Sequence, residues 1–204
     1  MTHEMGHMWV GDIEGPMGVT SWFTEGLNTY YTRLVPMRGG FDSVSEYSRR
    51  INEDFGTYFT SPARNLSADS IVKIGFNDED VRHIPYYRGS FYFADLDARI
   101  RARSRGRRNL DSLVIGLFRR RARGDRFDHE TWIAAVEREI GPSAREDFER
   151  VILRGATIVP PSDAFGPCFT RRPASLTPKG GGVSVAGYVW VRVDSIPDAR
   201  CRVW

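Results

Sequence analysis

The stretch THEMGH, residues 2–7, carries His-Glu-x-x-His within its six residues. On a helix, residues four apart share a face. His3 and His7 therefore aim two imidazoles at one point, and imidazole nitrogen is a preferred donor for zinc in tetrahedral sites. Glu4 is offset from that line, where its carboxylate reaches a water activated by the metal rather than the metal itself. That is the placement of a general base.

A catalytic zinc takes three protein ligands and keeps one position open. The third ligand is expected at Glu25, in "SWFTEGLNTYYTRLV" at 21–35. Phe23, Leu27, Tyr30 and Leu34 recur there at helical spacing, and Pro36 and Gly39–Gly40 are expected to end the helix. Trp22 and Thr29, at −3 and +4 from Glu25, are expected to flank it as an aromatic wall and a hydroxyl. Gly26 beside it allows close approach of another backbone.

Outward from this pair of segments the pattern stays helical. The motif helix is expected over 2–10, a third helix over 42–56, and a loop from 57 to about 78, punctuated by Pro62, Asn65 and Asp69. A long helix follows from Pro85, with Tyr86, Gly89, Phe93, Leu96 and Ile100 as one buried stripe. "LDSLVIGLFRRR" at 110–121 buries Leu110, Leu113, Val114, Leu117 and Phe118. Asp128 starts "DHETWIAAVEREI", and Pro142-Ser143 starts "PSAREDFERVIL", which Gly155 closes. Beyond about 156, Pro160-Pro161, the "KGGG" at 179–182 and the alternating "VSVAGYVWVRV" indicate strands and turns. The chain thus divides into a mainly α block, 1–157, and a β-rich C-terminal extension, 158–204.

Composition fits a globular chain. Of 204 residues, 41% are hydrophobic and 27% charged, which excludes a disordered class. No run approaches the roughly 20 apolar residues of a membrane span. The net charge is only +3, although 27 arginines stand against two lysines, Lys73 and Lys179. Eleven arginines lie between Arg99 and Arg126. Asp95, Asp97, Asp111 and Asp125 are interspersed and aromatics are not interleaved with the arginines as stacking platforms, so a solvated helical face is expected rather than a nucleic-acid surface. Cys168 and Cys201 are compatible with a disulfide or with two free thiols. His83 precedes Tyr86 by three positions and is read as structural. His129, at a helix start, is expected to be solvated.

"HEMGHMWVGD" followed by "WFTEGLNTYY" resembles the gluzincin zinc metallopeptidases, which hold zinc through two histidines and a downstream glutamate. The 17-residue spacer from Met8 to Thr24 is one shorter than is usual in alanyl- and leucyl-type aminopeptidases. "PYYRGSFYFADLDARIRARSRGRRNLDSLVIGLF" and "FERVILRGATIVPPSDAF" are more similar to the glycyl aminopeptidase family, and the likeness covers about residues 2–165. It implies the helical half of a thermolysin-like or aminopeptidase-like catalytic domain, without the sheet that precedes the zinc helix, and so the C-terminal portion of a longer enzyme. It implies one Zn2+ per chain on His3, His7 and Glu25, a peptide substrate, and a periplasmic or secreted setting for full-length relatives. The family's Pro-Tyr-x-x-Gly pattern matches Pro85, Tyr86, Tyr87, Arg88 and Gly89, so Tyr86 is expected to stabilise the oxyanion, with Tyr87 as the other candidate. The expected activity is zinc-dependent peptide-bond hydrolysis, with Glu4 and Tyr86 catalytic. The alternatives are an inactive zinc-binding fragment and an arginine-rich nucleic-acid binder.

Overall fold

The computed structural model describes residues 3–16, 18–75 and 77–204. Helix α1 (His3–Gly6) is followed by α2 (Ser21–Arg38), α3 (Val44–Thr60), α4 (Ala68–Ile74), α5 (Glu79–Arg82), α6 (Ile84–Ser104), α7 (Leu110–Arg121), α8 (His129–Ile140) and α9 (Ser143–Phe148). A π-helical turn, Glu149–Leu153, extends α9. Strands β1 (Phe169–Leu176) and β2 (Val185–Arg192) pair antiparallel, and α10 (Asp198–Cys201) lies near the end. No helix among the described residues is long and apolar enough to cross a membrane.

The helix starts follow from capping chemistry. Side chains of Ser43, Ser67, Asp78, Asn109 and Asp128 each accept a hydrogen bond from the backbone N–H three residues on. Each satisfies one donor that a helix N-terminus leaves open. Ser43 with Glu46 has the spacing of a capping box. Gly155 ends the π-helical turn's run with a left-handed φ of 79°. A Cβ there would also meet the Leu66 carbonyl oxygen at 2.3 Å.

Helices α2 and α6 form the centre of the fold. A Cβ on Gly26 would lie 2.5 Å from the Gly89 Cα, and one on Gly89 would lie 2.1 Å from the Trp22 carbonyl oxygen. The two backbones touch, which only glycine allows. Around this crossing Phe23, Leu27, Leu34, Phe93, Leu96 and Ile100 are buried. Each contributes roughly 1.5–3 kcal/mol of burial. The expected stripe on α6 is therefore present, with Tyr86 at its partly exposed end.

Four expectations about elements need correction. The motif helix is one turn, His3–Gly6, continued by turn hydrogen bonds from Trp9 and Val10 N–H to the Gly6 carbonyl. Pro36 lies inside α2 rather than ending it, and the helix continues past it to Arg38 despite the one N–H it lacks. The expected loop from 57 to about 78 instead contains the end of α3 and all of α4 and opens into α5. In α4 only Ile71 is buried, so no apolar periodicity announced it. Finally, α9 changes to a π-helical turn at Glu149 where one continuous helix was expected.

The β-rich tail packs onto α3. Trp190 is fully buried against Phe55 and Phe165. Asn52 behaves as a neighbouring strand would: its carboxamide accepts from Trp190 N–H at 2.8 Å and donates to the Trp190 carbonyl at 2.9 Å. Cys168 and Cys201 form a disulfide that ties α10 to the start of the hairpin. Of the arginines between 99 and 126, Arg99, Arg101, Arg108, Arg120 and Arg126 pair with carboxylates.

The glycine crossing has a direct test. Helix propensity favours alanine over glycine by about 1 kcal/mol. Gly89→Ala is nonetheless expected to lower the free energy of unfolding by about 1–3 kcal/mol, because the helices must separate. Gly116→Ala, on α7 with nothing within 4 Å of its added Cβ, is expected to be stabilising. Urea denaturation of both variants checks this, and equal effects would contradict the tight crossing.

Candidate metal centre

His3 of α1, His7 of the turn after it and Glu25 of α2 converge at the open end of the α2–α6 crossing. The Glu25 Oε2 atom lies 2.9 Å from His3 Nε2 and 3.3 Å from His7 Nε2. The three candidate ligand atoms all lie within 4.8 Å of one another. Tetrahedral zinc with bonds of roughly 2.0–2.1 Å places its ligand atoms about 3.3 Å apart. The His7–Glu25 separation equals that figure, the His3–Glu25 contact is a hydrogen bond shorter than it, and two imidazoles with one carboxylate form a suitable donor set. The side chains are 27%, 29% and 21% exposed, so the cluster is sheltered yet open to solvent on one side.

Helix α1 is too short to be stable alone, and its packing on α2 supplies what it lacks. The Asn28 carboxamide, fully buried, donates to the His3 carbonyl at 2.7 Å. Gly6, inside the motif, presses on the same side chain: a Cβ there would lie 1.8 Å from Asn28 Oδ1 and 3.1 Å from a Thr32 methyl. The Asn28 clamp and the Gly6 contact thus set where both imidazoles stand. The sequence reading missed Asn28 and Gly6. Their one visible signal is the spacing, since Asn28 lies one helical turn beyond Glu25.

Electrostatics couple the cluster to Tyr86. Burial works against ionisation of Glu25, but the bond from His3, the charges of both imidazoles and the Tyr86 hydroxyl outweigh it and hold the carboxyl below its ordinary range. Burial, followed by the adjacent Glu25 carboxylate and then Glu4, pushes the Tyr86 phenol up to about 12. Tyr86 therefore remains a hydrogen-bond donor at neutral pH. Its ring lies 5.2 Å from that of His3. Glu4 is exposed and outside the three-ligand cluster, yet near enough to influence Tyr86.

Other expected neighbours lie elsewhere. Trp22 is no wall for Glu25. It is buried among Phe23, Tyr92, Phe93, Trp132 and Phe148, and its indole N–H donates to His129 Nε2 at 3.1 Å. Thr29 is buried, and its hydroxyl has no hydrogen-bond partner among the described residues. His129 is correspondingly not an ordinary solvated residue. Burial lowers its pKa, and accepting the Trp22 proton at Nε2 assigns the neutral tautomer. Tyr87 turns to a different environment, under the influence of Asp54 and Arg33. His83 stays beside Tyr86, with its Nδ1 3.0 Å from the Glu79 carbonyl oxygen.

No protein-family model matches the chain, and no curated protein matches it.

Removing the clamp is expected to loosen the triad. Asn28→Ala should weaken its affinity for zinc about tenfold, measured by competition with a chromogenic chelator. Gly6→Ala should do so as well, by displacing α1. Thermal unfolding of the metal-free variants separates this effect from global destabilisation, and unchanged affinity in both would show that the clamp does not position the imidazoles.

Proposed function

We propose that the chain is a zinc-dependent peptidase of the gluzincin type with aminopeptidase-like character. The observation that carries this reading is the convergence of His3, His7 and Glu25 at spacings suited to tetrahedral zinc, with a donor phenol and a free carboxylate beside them. With zinc bound, His3 and His7 would each offer an imidazole nitrogen and Glu25 a carboxylate oxygen, a set that would leave a fourth position open. A bound zinc would supply Lewis acidity, polarising a peptide carbonyl and acidifying a water.

The chain's own residues then have distinct tasks. The Glu4 carboxylate takes a proton from the attacking water and delivers it to the leaving amine. The Tyr86 hydroxyl donates to the oxygen on which negative charge develops, the logic of an oxyanion hole. Raising the Tyr86 pKa keeps that proton in place. Asn28 and Gly6 hold the imidazoles, and the Gly26–Gly89 contact holds Glu25 close to Tyr86.

A second reading, an inactive zinc-binding fragment, is favoured by one observation. His3 stands in a four-residue helix and His7 in the turn that follows it, and Glu4 of that helix is exposed to solvent. The two readings separate by experiment. The peptidase reading expects one zinc per chain by metal analysis and hydrolysis of glycyl or alanyl peptide reporters. It expects Glu4→Gln to retain zinc while losing about 10²–10⁴ in kcat, and Tyr86→Phe about 10²–10³. Equal inertness of wild type and Glu4→Gln, with zinc held by both, would support the fragment.

A further inference from the structure

A small apolar cavity lies between the start of α2, helix α4 and the start of α6. Its volume is about 160 Å3, and among the described residues Gly18, Ser21, Ile71, Val72, Gly75, Arg82 and Pro85 line it. Two of these residues tie it to the metal centre. Ser21 precedes Glu25 by four residues on α2, a rise of about 6 Å. Pro85 directly precedes Tyr86 on α6. A third, Arg82, ends α5 four residues before Tyr86. Two lining residues thus stand within about one helical turn of Glu25 and Tyr86 along the same helices.

The lining is selective by size and charge. Ile71 and Val72 come from α4, the helix that sequence periodicity did not reveal. At one end the loop before α2 closes on Val72: a Cβ on Gly18 would lie 3.0 Å from a Val72 methyl. Gly18 also has a left-handed φ of 84°, so glycine suits it on both counts. An apolar cavity of about 150 Å3 takes a group the size of benzene. The guanidinium of Arg82 disfavours a second cation beside it.

We propose that this cavity is the specificity pocket of the proposed peptidase. It would receive an aliphatic or phenyl side chain from a residue flanking the scissile bond, with Val72 setting its depth and Arg82 excluding lysine and arginine. The proposal rests on the zinc-peptidase reading above, and its test is arranged to fail separately. The side chain would exchange water for Ile71, Val72 and Pro85, while its carbonyl lies at the triad and Tyr86. Full burial of a leucine-sized group corresponds to roughly a 10- to 100-fold gain in affinity.

The experiment measures binding, not turnover. Glycine, leucine, lysine and tryptophan hydroxamates, which carry a metal-binding group next to the side chain, are titrated calorimetrically into the zinc-loaded chain. Leucine hydroxamate is expected to bind at least about tenfold more tightly than the glycine compound, with the lysine and tryptophan compounds well below leucine. Val72→Trp should bring the leucine-to-glycine ratio to near unity. Val72→Ala, which enlarges the cavity and fills nothing, should admit the tryptophan compound and serves if Val72→Trp does not fold. Arg82→Ala should raise lysine relative to leucine severalfold. Glycine hydroxamate binding with no leucine preference, or a preference untouched by both Val72 variants, overturns the pocket alone. Zinc held with no hydroxamate bound overturns the peptidase reading and the pocket with it.

Discussion

The contact between Gly26 and Gly89 governs the geometry of this molecule. With no Cβ on either side, the backbones of α2 and α6 meet directly, and a single methyl group would force them apart. Their immediate neighbours are then placed without further adjustment. Glu25 adjoins one glycine, and Tyr86 lies three residues before the other, so carboxylate and phenol share one end of the crossing. On the buried side the same approach stacks Trp22 on Phe93 and brings it against Trp132 and Phe148. A rigid aromatic interior and an ordered polar mouth are two faces of one contact.

The candidate metal centre combines unequal partners. Glu25 stands on an 18-residue helix anchored in the core, whereas the imidazoles come from a single turn. What holds that turn is polar and steric: a carboxamide bonded to the His3 carbonyl and a glycine small enough to lie against it. Buried amide groups are costly unless paired, so the Asn28 bond both satisfies the amide N–H and fixes the turn. An ion on His3, His7 and Glu25 would further cross-link the two helices, since metal affinity and local order are thermodynamically linked.

The rest of the chain serves to brace this arrangement. The hairpin closes the far side of α3 through Trp190 and Asn52, and the Cys168–Cys201 disulfide fastens α10 to it. Arg38 reaches from the end of α2 to Asp111 on α7 and to the Trp204 carbonyl, linking the crossing to both. The arginine-rich stretch spends much of its charge within the fold: Arg101 bonds the buried Asp97, which in turn caps the Leu110 N–H.

Local chemistry was legible in the sequence because it is periodic or position-bound. The stripes on α2, α6 and α7, the helix start at Asp128, and the His-Glu-x-x-His spacing with Glu25 all follow from 3.6-residue geometry and from what helix termini require. Periodicity names a buried face but not its partner. It therefore could not show that Trp22 turns to His129 and the core instead of the site, that Tyr86 and not Tyr87 meets Glu25, or that the two cysteines pair. Nor could it show α4, a helix with one buried residue. Those matters were decided by tertiary packing, above all by where two glycines let two backbones touch, since contacts between residues distant in sequence leave no repeat to read.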